Sequence, residues 1–251
     1  MTTNNVLISG RQLRPAFAGQ SGLAGVTIDI KDSSIVGVIG PDAKFKSGWL
    51  KILAGIENIH QGELHIFGRN VAEMSKQEWQ SMRVNLSYLN EETKLLSVLG
   101  TLENILMPSL YHKLGQRNEL LLKAQGLLDE IEFENRDSLR SLPAYIDDYE
   151  YCQAIIVRAL LMRPKILVID NVFRKLEAEF ADKLMAFIMQ YVKNHGVALL
   201  FHVSKPDFVL EHANRILFVM HRFMLQFNDK QDVKVSGNED LIKYLQDHYI
   251  S

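Results

Sequence analysis

The segment GPDAKFKSG, residues 40–48, lies between a continuous apolar run and a stretch with helical spacing. The run SIVGVIG (34–40) is typical of a buried parallel strand, and KSGWLKILAGI (46–56) spaces its large apolar residues as a helix does. A strand, a glycine-opened loop and a helix are the setting of the phosphate-binding pattern G-x-x-x-x-G-K-[ST]. Phe45 stands where the second glycine of that pattern belongs. Three residues match the pattern, namely Gly40, Lys46 and Ser47.

The rest of the chain alternates between strand and helix patterns. Apolar runs predict further strands at 25–30, 62–68, 165–170 and 196–203. Helical spacing predicts helices at 118–133 and 177–196, with Gly196 as the end of the second. Between residues 74 and about 142 the whole pattern indicates helix. This order predicts an α/β fold whose core is interrupted by a helical insertion.

The composition narrows the class of protein. Hydrophobic residues make up 47% and charged residues 23% of the 251 residues, as in ordinary soluble globular proteins. A formal net charge of −2 gives no basic field for nucleic acid. Cys152 is the only cysteine, which suits a reducing compartment, and the histidines lack metal-ligand spacing, so we predict no metal site. No signal-peptide pattern or apolar run of ~18 residues occurs, so a membrane role would require a partner.

Four other segments carry a family resemblance. They are SGWLKILAGIENIHQGELHIFG (47–68), TLENILMP (101–108), RALLMRPKILVID (158–170) and HANRILFV (212–219). With the loop at 40–48, they stand in the order found in ATP-binding subunits of ABC transporters, and the chain resembles that family from about Val6 to about Phe227. The segment TLENILMP is similar to the form common in subunits of lipid, lipoprotein and macrolide transporters.

The resemblance implies how the chain is organised. We expect a P-loop NTPase-like core of mostly parallel sheet flanked by helices, with an antiparallel β lobe and a helical insertion. Residues 1–251 would form a single nucleotide-binding domain. Its expected parts are a core at 1–90 and 151–230, a helical subdomain at about 91–150 and a C-terminal helical tail at 238–251.

The resemblance also implies a nucleotide site, since ATP in this family lies between the Walker motifs of one subunit and the signature of another. The matching positions are Phe17, which would stack on adenine, and Gly40, Phe45, Lys46, Ser47 and Asp170. Phe45 replaces a glycine whose backbone approaches phosphate, and we expect its ring to fill the phosphate volume. No cofactor is predicted, and ATP and Mg²⁺ are expected at most at reduced affinity.

The positions that manage hydrolysis in the family have changed. Asn171 replaces the glutamate that polarises the attacking water, and an amide cannot accept a proton as a carboxylate does. Ser204 stands at the switch histidine, with His202 two residues earlier as an alternative. The Q-loop glutamine aligns with Glu91, or alternatively with Asn90.

The signature pattern L-S-G-G-Q aligns with IDDYE, residues 146–150. Asp147 and Asp148 would bring negative charge towards a partner's γ-phosphate, and Tyr149 would fill a space that belongs to glycine. A solvated acidic turn is the alternative interpretation. Glu177 stands at the position of the D-loop aspartate.

These replacements predict a pseudo-ATPase that acts through its surface. We expect a subunit on the cytoplasmic face of the cell membrane, bound to transmembrane transporter subunits and paired with a consensus ATP-binding subunit or a second copy. Docking is expected within 90–112, through exposed or half-exposed leucines, namely Leu95, Leu96, Leu99, Leu102 and Leu106. Two alternatives stay open, which are a slow or asymmetric ATPase that uses a partner's groups and a soluble regulator with the same fold.

Overall fold

The computed structural model describes residues 5–16, 25–221 and 223–248. Its strands are β1 (Val6–Pro15), β2 (Val26–Lys31), β3 (Ile35–Ile39), β4 (Ile59–Ile66), β5 (Arg69–Asn70), β6 (Leu86–Asn90), β7 (Ile166–Asp170), β8 (Ala198–His202), β9 (Arg215–Val219) and β10 (Met224–Phe227). Its α-helices are α1 (Ala43–Leu53), α2 (Lys76–Arg83), α3 (Thr101–Tyr111), α4 (Arg117–Glu130), α5 (Asp148–Leu161), α6 (Ala178–His195), α7 (Pro206–His212), α8 (Lys230–Val235) and α9 (Glu239–His248).

Two sheets organise the described part of the chain. The larger has the order β10-β9-β3-β8-β7-β6, and all of its neighbours pair in parallel except β10 with β9. The smaller sheet, β2-β1-β4-β5, is antiparallel throughout. Helices α3, α4 and α5 pack on one another beside the larger sheet. The predicted fold class, a mostly parallel core with helices and an antiparallel β lobe, is confirmed.

The prediction of unbroken helical pattern from residue 74 to about 142 is wrong at Leu86–Asn90. These residues form β6, which pairs with β7 from Leu86 opposite Ile166 to Asn90 opposite Asp170. Five residues are too few to distinguish a strand from a helical turn by periodicity, so pairing with a neighbouring strand decides the outcome. The helix predicted from residue 46 also begins earlier, at Ala43.

Alternate residues of the central strands enter different cores. Leu167 and Ile169 join a cluster that includes α5 and α6, which we call the lobe-side core. Ile166 and Val168 join a cluster that includes Trp49, which we call the loop-side core. Because parallel strands are buried on both faces, their continuous apolar runs are explained by these two cores. Both faces of the larger sheet are therefore packed, and the polar side chains of the candidate site lie at its carboxyl edge.

Candidate functional site

The loop at 40–48 connects β3 to α1 at the carboxyl edge of the larger sheet. Gly40 has φ 147°, and a Cβ added there would lie 2.2 Å from the backbone oxygen of Val219, so glycine is required by packing. Asp42 is the N-cap of α1, and its Oδ1 accepts a hydrogen bond from the Lys44 amide at 2.7 Å. The Asp42 carbonyl also accepts from the Lys46 amide at 3.3 Å. Backbone amides at the start of a helix are the groups that bind phosphate. Two such amides, those of Lys44 and Lys46, donate to Asp42 here.

The retained lysine is also engaged by the loop. The Nζ atom of Lys46 donates to the carbonyl of Gly40 at 2.7 Å. Burial lowers the pKa of Lys46, and the charges of Asp42 and Asp170 oppose that shift. In this arrangement both the helix start and the ammonium group of Lys46 make hydrogen bonds within the loop itself.

Phe45 contacts the residues that follow β9. Its ring packs with its centroid 5.1 Å from that of His221, and its side chain is partly buried against the loop-side core. That this ring fills the phosphate volume stays a prediction.

Asp170 is the centre of a buried polar group. It is 4% exposed at the end of β7. Its Oδ1 accepts from Ser47 at 2.7 Å, and its Oδ2 accepts from the Tyr88 hydroxyl at 2.6 Å. Burial acts to raise the pKa of Asp170, but the neighbouring His202, Tyr88 and Ser47 outweigh it and the pKa is lowered. Ser47 and Asp170 are predicted site residues that the structure brings into contact, whereas Tyr88 was not predicted, because an aromatic residue in a strand gives no reason to single it out.

His202 lies on the buried side of this group. Its Nδ1 is 3.5 Å from Oδ1 of Asp170 and, among the described residues, has no hydrogen-bond partner. The residue is 3% exposed, and burial lowers its pKa, so the imidazole is neutral at pH 7. An imidazole enclosed at the floor of the site is poorly placed to act as a mobile switch above it.

Asn171 and Ser204 contact each other directly. The Ser204 hydroxyl donates to Oδ1 of Asn171 at 3.0 Å. Asn171 has φ 51°, and its amide donates to the carbonyl of His202 at 2.8 Å, which joins the ends of neighbouring strands β7 and β8. The positions aligned with a general base and a switch histidine are thus occupied by a neutral amide and a hydroxyl. Neither group titrates near neutral pH.

The carboxylate of Glu91 is held by an arginine that the sequence analysis did not single out. Arg174 donates to both of its oxygens, at 2.6 and 2.9 Å. This bidentate contact lowers the pKa of Glu91 despite the opposing effect of burial. The alternative residue, Asn90, uses its Oδ1 in a local turn with the Glu92 amide and the Thr93 hydroxyl.

The aligned signature residues form the start of α5. Asp147 is the N-cap, and its Oδ1 accepts from the Glu150 amide at 2.7 Å, while Oε2 of Glu150 accepts from the Asp147 amide at 3.3 Å. Asp148 is exposed in the first turn, and the ring of Tyr149 lies 4.7 Å from that of Phe180. This second helix start is therefore also capped by the chain's own carboxylates.

Two other predicted site residues, Glu177 and Phe17, are not among the contacts described above. Glu177 is the N-cap residue of α6 but makes no side-chain capping bond. Phe17 lies outside the described residues. No group of three histidine, cysteine, aspartate or glutamate side chains suited to a metal ion occurs within residues 5–16, 25–221 and 223–248.

The leucines predicted to dock a partner differ in how deeply they are buried. Leu95 is 6% exposed and Leu106 is 0% exposed, so the expectation that they are exposed or half-exposed is wrong. Both pack in the lobe-side core, which a helical insertion needs for its own stability. Leu96 is 47% exposed, and Leu99 and Leu102 are half-buried.

A buried asparagine shapes the turn that carries these leucines. Oδ1 of Asn104 accepts from the Leu96 amide at 2.6 Å, and its Nδ2 donates to the carbonyls of Leu96 and Leu99 at 3.0 and 2.9 Å. Asn104 is fully buried, and its side chain satisfies backbone groups of this turn that would otherwise lack hydrogen-bond partners. The described helices include none that is both long and apolar enough to cross a membrane.

Comparisons with known proteins agree with this architecture. The methionine import ATP-binding protein MetN of Rhizobium johnstonii is 27% identical over 203 residues, which are 81% of this chain and 55% of the relative. The chain thus spans about half the length of that relative. The lipoprotein-releasing system ATP-binding protein LolD of Porphyromonas gingivalis is 26% identical over 213 residues, which are 84% of this chain and 95% of the relative.

Solved structures share the fold. A dimeric bacterial ABC transporter cassette has a TM-score of 0.77 at 20% identity, covering 88% of this chain and 98% of its own. An ATP-binding subunit of an ABC transporter has a TM-score of 0.78 at 21% identity, covering 96% and 99%. The family model described as ABC transporter matches residues 23–174, more than half of the chain. This chain therefore belongs to the ABC transporter family and has the fold of its ATP-binding cassettes.

Proposed function

We propose that this chain is a non-hydrolysing subunit of an ABC-type transporter, which binds transmembrane subunits without turning over ATP itself. The observation that carries this proposal is the hydrogen bond of 3.0 Å between Ser204 and Asn171. These residues occupy the positions at which the family resemblance implies a histidine and a glutamate. Each is satisfied by the other, and neither accepts a proton as a carboxylate or an imidazole does.

The rate consequences of these changes are large. General acid–base catalysis contributes about 10²–10⁴-fold in enzymes that use it. Loss of one positioned electrostatic donor costs a further factor of about 10²–10³. Glu91, which stands at the Q-loop glutamine, is held by Arg174 in a bidentate contact and is not free to orient a water. These losses fall on the same reaction.

The start of α5 supports the same proposal. Asp147 and Asp148 bring two carboxylates to positions that face a partner's γ-phosphate in the family. The Asp147 side chain also engages the Glu150 amide, which is one of the groups that a helix start offers to an anion. The negative charge and the occupied amide both disfavour binding of a partner's nucleotide by the start of α5.

The partners follow from the family and from the exposed part of the helical lobe. We propose that transmembrane subunits dock on Leu96, Leu99 and Leu102, and that the complex also contains a consensus ATP-binding subunit or a second copy of this chain. The chain would then lie on the cytoplasmic face of the membrane. The domain division into core, helical subdomain and C-terminal tail is part of this proposal. Nucleic acid is not a proposed partner.

A second candidate is a slow or asymmetric ATPase whose missing groups come from a partner. Family membership favours it, since the relatives named above are ATP-binding proteins. The polar pair of Ser47 and Asp170 also favours it, because both side chains remain within 2.7 Å of each other beside Lys46. Its mechanism would require the loop to open and release Lys46 from Gly40.

The assembled complex separates the two candidates. A tagged chain is purified from detergent-solubilised membranes, and the ATPase activity of the complex is measured with Asp170→Asn in this chain only. Asp137→Asn, an exposed carboxylate, is the matched control. The proposal predicts equal activity in the parent and both variants. Loss of activity in Asp170→Asn alone would favour the second candidate, and recovery of the chain without membrane proteins would contradict both.

A further inference from the structure

Each carboxylate oxygen of Asp170 accepts a hydrogen bond from a hydroxyl group of its own chain. Ser47 occupies Oδ1 at 2.7 Å and Tyr88 occupies Oδ2 at 2.6 Å. The nearby ammonium of Lys46 is bonded to the Gly40 carbonyl, and the neighbouring imidazole of His202 is neutral. Two hydroxyl groups, together with the neighbouring His202, therefore stabilise this buried negative charge, where a nucleotide-binding member of the family would use a divalent cation.

We propose that Tyr88 is the residue that closes Asp170 to divalent cations. Mg²⁺ is bound in proteins by one or two carboxylates and requires near-octahedral oxygen geometry. Asp170 is 4% exposed, so a cation approaching it would compete with the Tyr88 and Ser47 hydroxyls for its oxygens. The serine is part of the inherited loop pattern and ligates cations itself in that setting, so the tyrosine is the group that excludes them.

The position of Tyr88 makes this contact durable. Tyr88 lies on β6, opposite Val168 of β7, and its ring packs against the loop-side core. The strand pairing fixes the backbone, and the core fixes the ring, so the hydroxyl is held against Asp170. Burial first, and the hydrogen bond to Asp170 second, raise the pKa of Tyr88 far above its usual value. The hydroxyl consequently remains a donor throughout the pH range of a folded protein.

This inference deepens the proposed function, because a closed carboxylate is one reason for the absence of turnover. Its failure is separable from failure of the proposed function, since its test contains no nucleotide and measures no hydrolysis. Replacing Tyr88 by phenylalanine keeps the ring in the core and removes only the hydroxyl. Oδ2 of Asp170 then loses its hydrogen-bond donor, and the affinity of Asp170 for a divalent cation should rise.

The experiment is a thermal unfolding series with and without millimolar Mg²⁺ or Mn²⁺, at ionic strength matched with sodium chloride. The proteins are the parent, Tyr88→Phe, Asp170→Asn, the double variant Tyr88→Phe/Asp170→Asn, and Tyr145→Phe as the control for loss of an exposed tyrosine hydroxyl. Mg²⁺ should raise the Tm of Tyr88→Phe by about 2–4 °C, the shift expected when a ligand binds only the folded state of a protein of this size. The parent, the control and the double variant should not respond.

Two results would overturn the proposal. One is a folded Tyr88→Phe protein whose Tm is the same with and without the cation. The other is a cation-dependent Tm increase in the parent that Asp170→Asn removes, which would show that Tyr88 does not close the site. Mn²⁺ binding to the parent, followed by electron paramagnetic resonance, tests this second result without Tyr88→Phe and therefore holds even if that variant fails to fold.

Discussion

Removal of the Asp42 side chain tests whether the loop at 40–48 is closed by its own cap. Asp42 Oδ1 accepts from the Lys44 amide at 2.7 Å. Asp42→Ala removes both the acceptor and the charge, whereas Asp42→Asn keeps an acceptor and removes only the charge. Because losing an N-cap costs about 0.5–2 kcal/mol, Asp42→Ala should lower the free energy of unfolding by about 1 kcal/mol. Asn caps helices as well as Asp does, so Asp42→Asn should change it by a few tenths at most.

The same pair of variants distinguishes two effects of Asp42 on anion binding, which are the repulsion by its charge and its hydrogen bond to the Lys44 amide. Two unit charges at about 4 Å repel by about 1 kcal/mol in water and about 4 kcal/mol in a partly buried setting. Removing the carboxylate should therefore strengthen ATP binding in both variants by about 5-fold or more, with the larger gain in Asp42→Ala, whose Lys44 amide is freed. Urea denaturation measures the stability, and isothermal titration calorimetry with metal-free ATP measures the affinity.

Asp137→Ala, at an exposed aspartate, is the control for a general change in net charge. The reasoning would be refuted if Asp42→Ala were as stable as the parent and bound ATP no better than it. A gain in ATP affinity equal to that of Asp137→Ala would show that overall charge, and not the cap, governs binding. A gain confined to Asp42→Ala would show that the amide matters and the charge does not.

Stability and membrane retention should respond to several other changes. Gly196 ends α6 at φ 65°, so Gly196→Ala should cost about 1 kcal/mol in urea denaturation. In contrast Gly126→Ala, at an exposed site in α4 where an added Cβ meets nothing within 4 Å, should add up to about 1 kcal/mol. Burial lowers the pKa of His202 below its usual 6.5, so the unfolded chain binds the proton first as pH falls. Stability should then fall by up to about 1.4 kcal/mol per pH unit below that value, and the slope should shrink in His202→Asn. Leu99→Glu should release the tagged chain from membranes while its unfolding transition persists, whereas Leu122→Glu, at a 70% exposed site on α4, should not.

The sequence predicted those parts of the fold that depend on local pattern. Continuous apolar runs identified β3, β7 and β8, because strands buried on both faces contain few polar residues. Gly196 was recognised as the end of α6 because a left-handed cap strongly favours glycine. The strand β6 was missed because its identity depends on pairing with β7, which is distant in sequence.

The family resemblance named the residues of the candidate site, and only the structure shows the contacts among them. The sequence indicated that Asn171 and Ser204 had replaced reactive groups, yet their mutual hydrogen bond depends on the adjacency of β7 and β8. Tyr88 and Arg174 were missed, since each acts through a partner that only the folded chain brings near. Asp42 differs, because it caps α1 through the amide two residues along the chain, a contact that an aspartate before a helix does signal.

Phosphate release from millimolar Mg-ATP by the purified chain tests the central claim most directly. Asp170→Asn is measured alongside the parent, because it alters the carboxylate on which any remaining metal-dependent reaction would rely. The account predicts that the parent and the variant both release phosphate at the rate of the protein-free buffer. Turnover by the parent of a few ATP per minute, abolished by Asp170→Asn, would contradict it and identify the chain as a working ATPase.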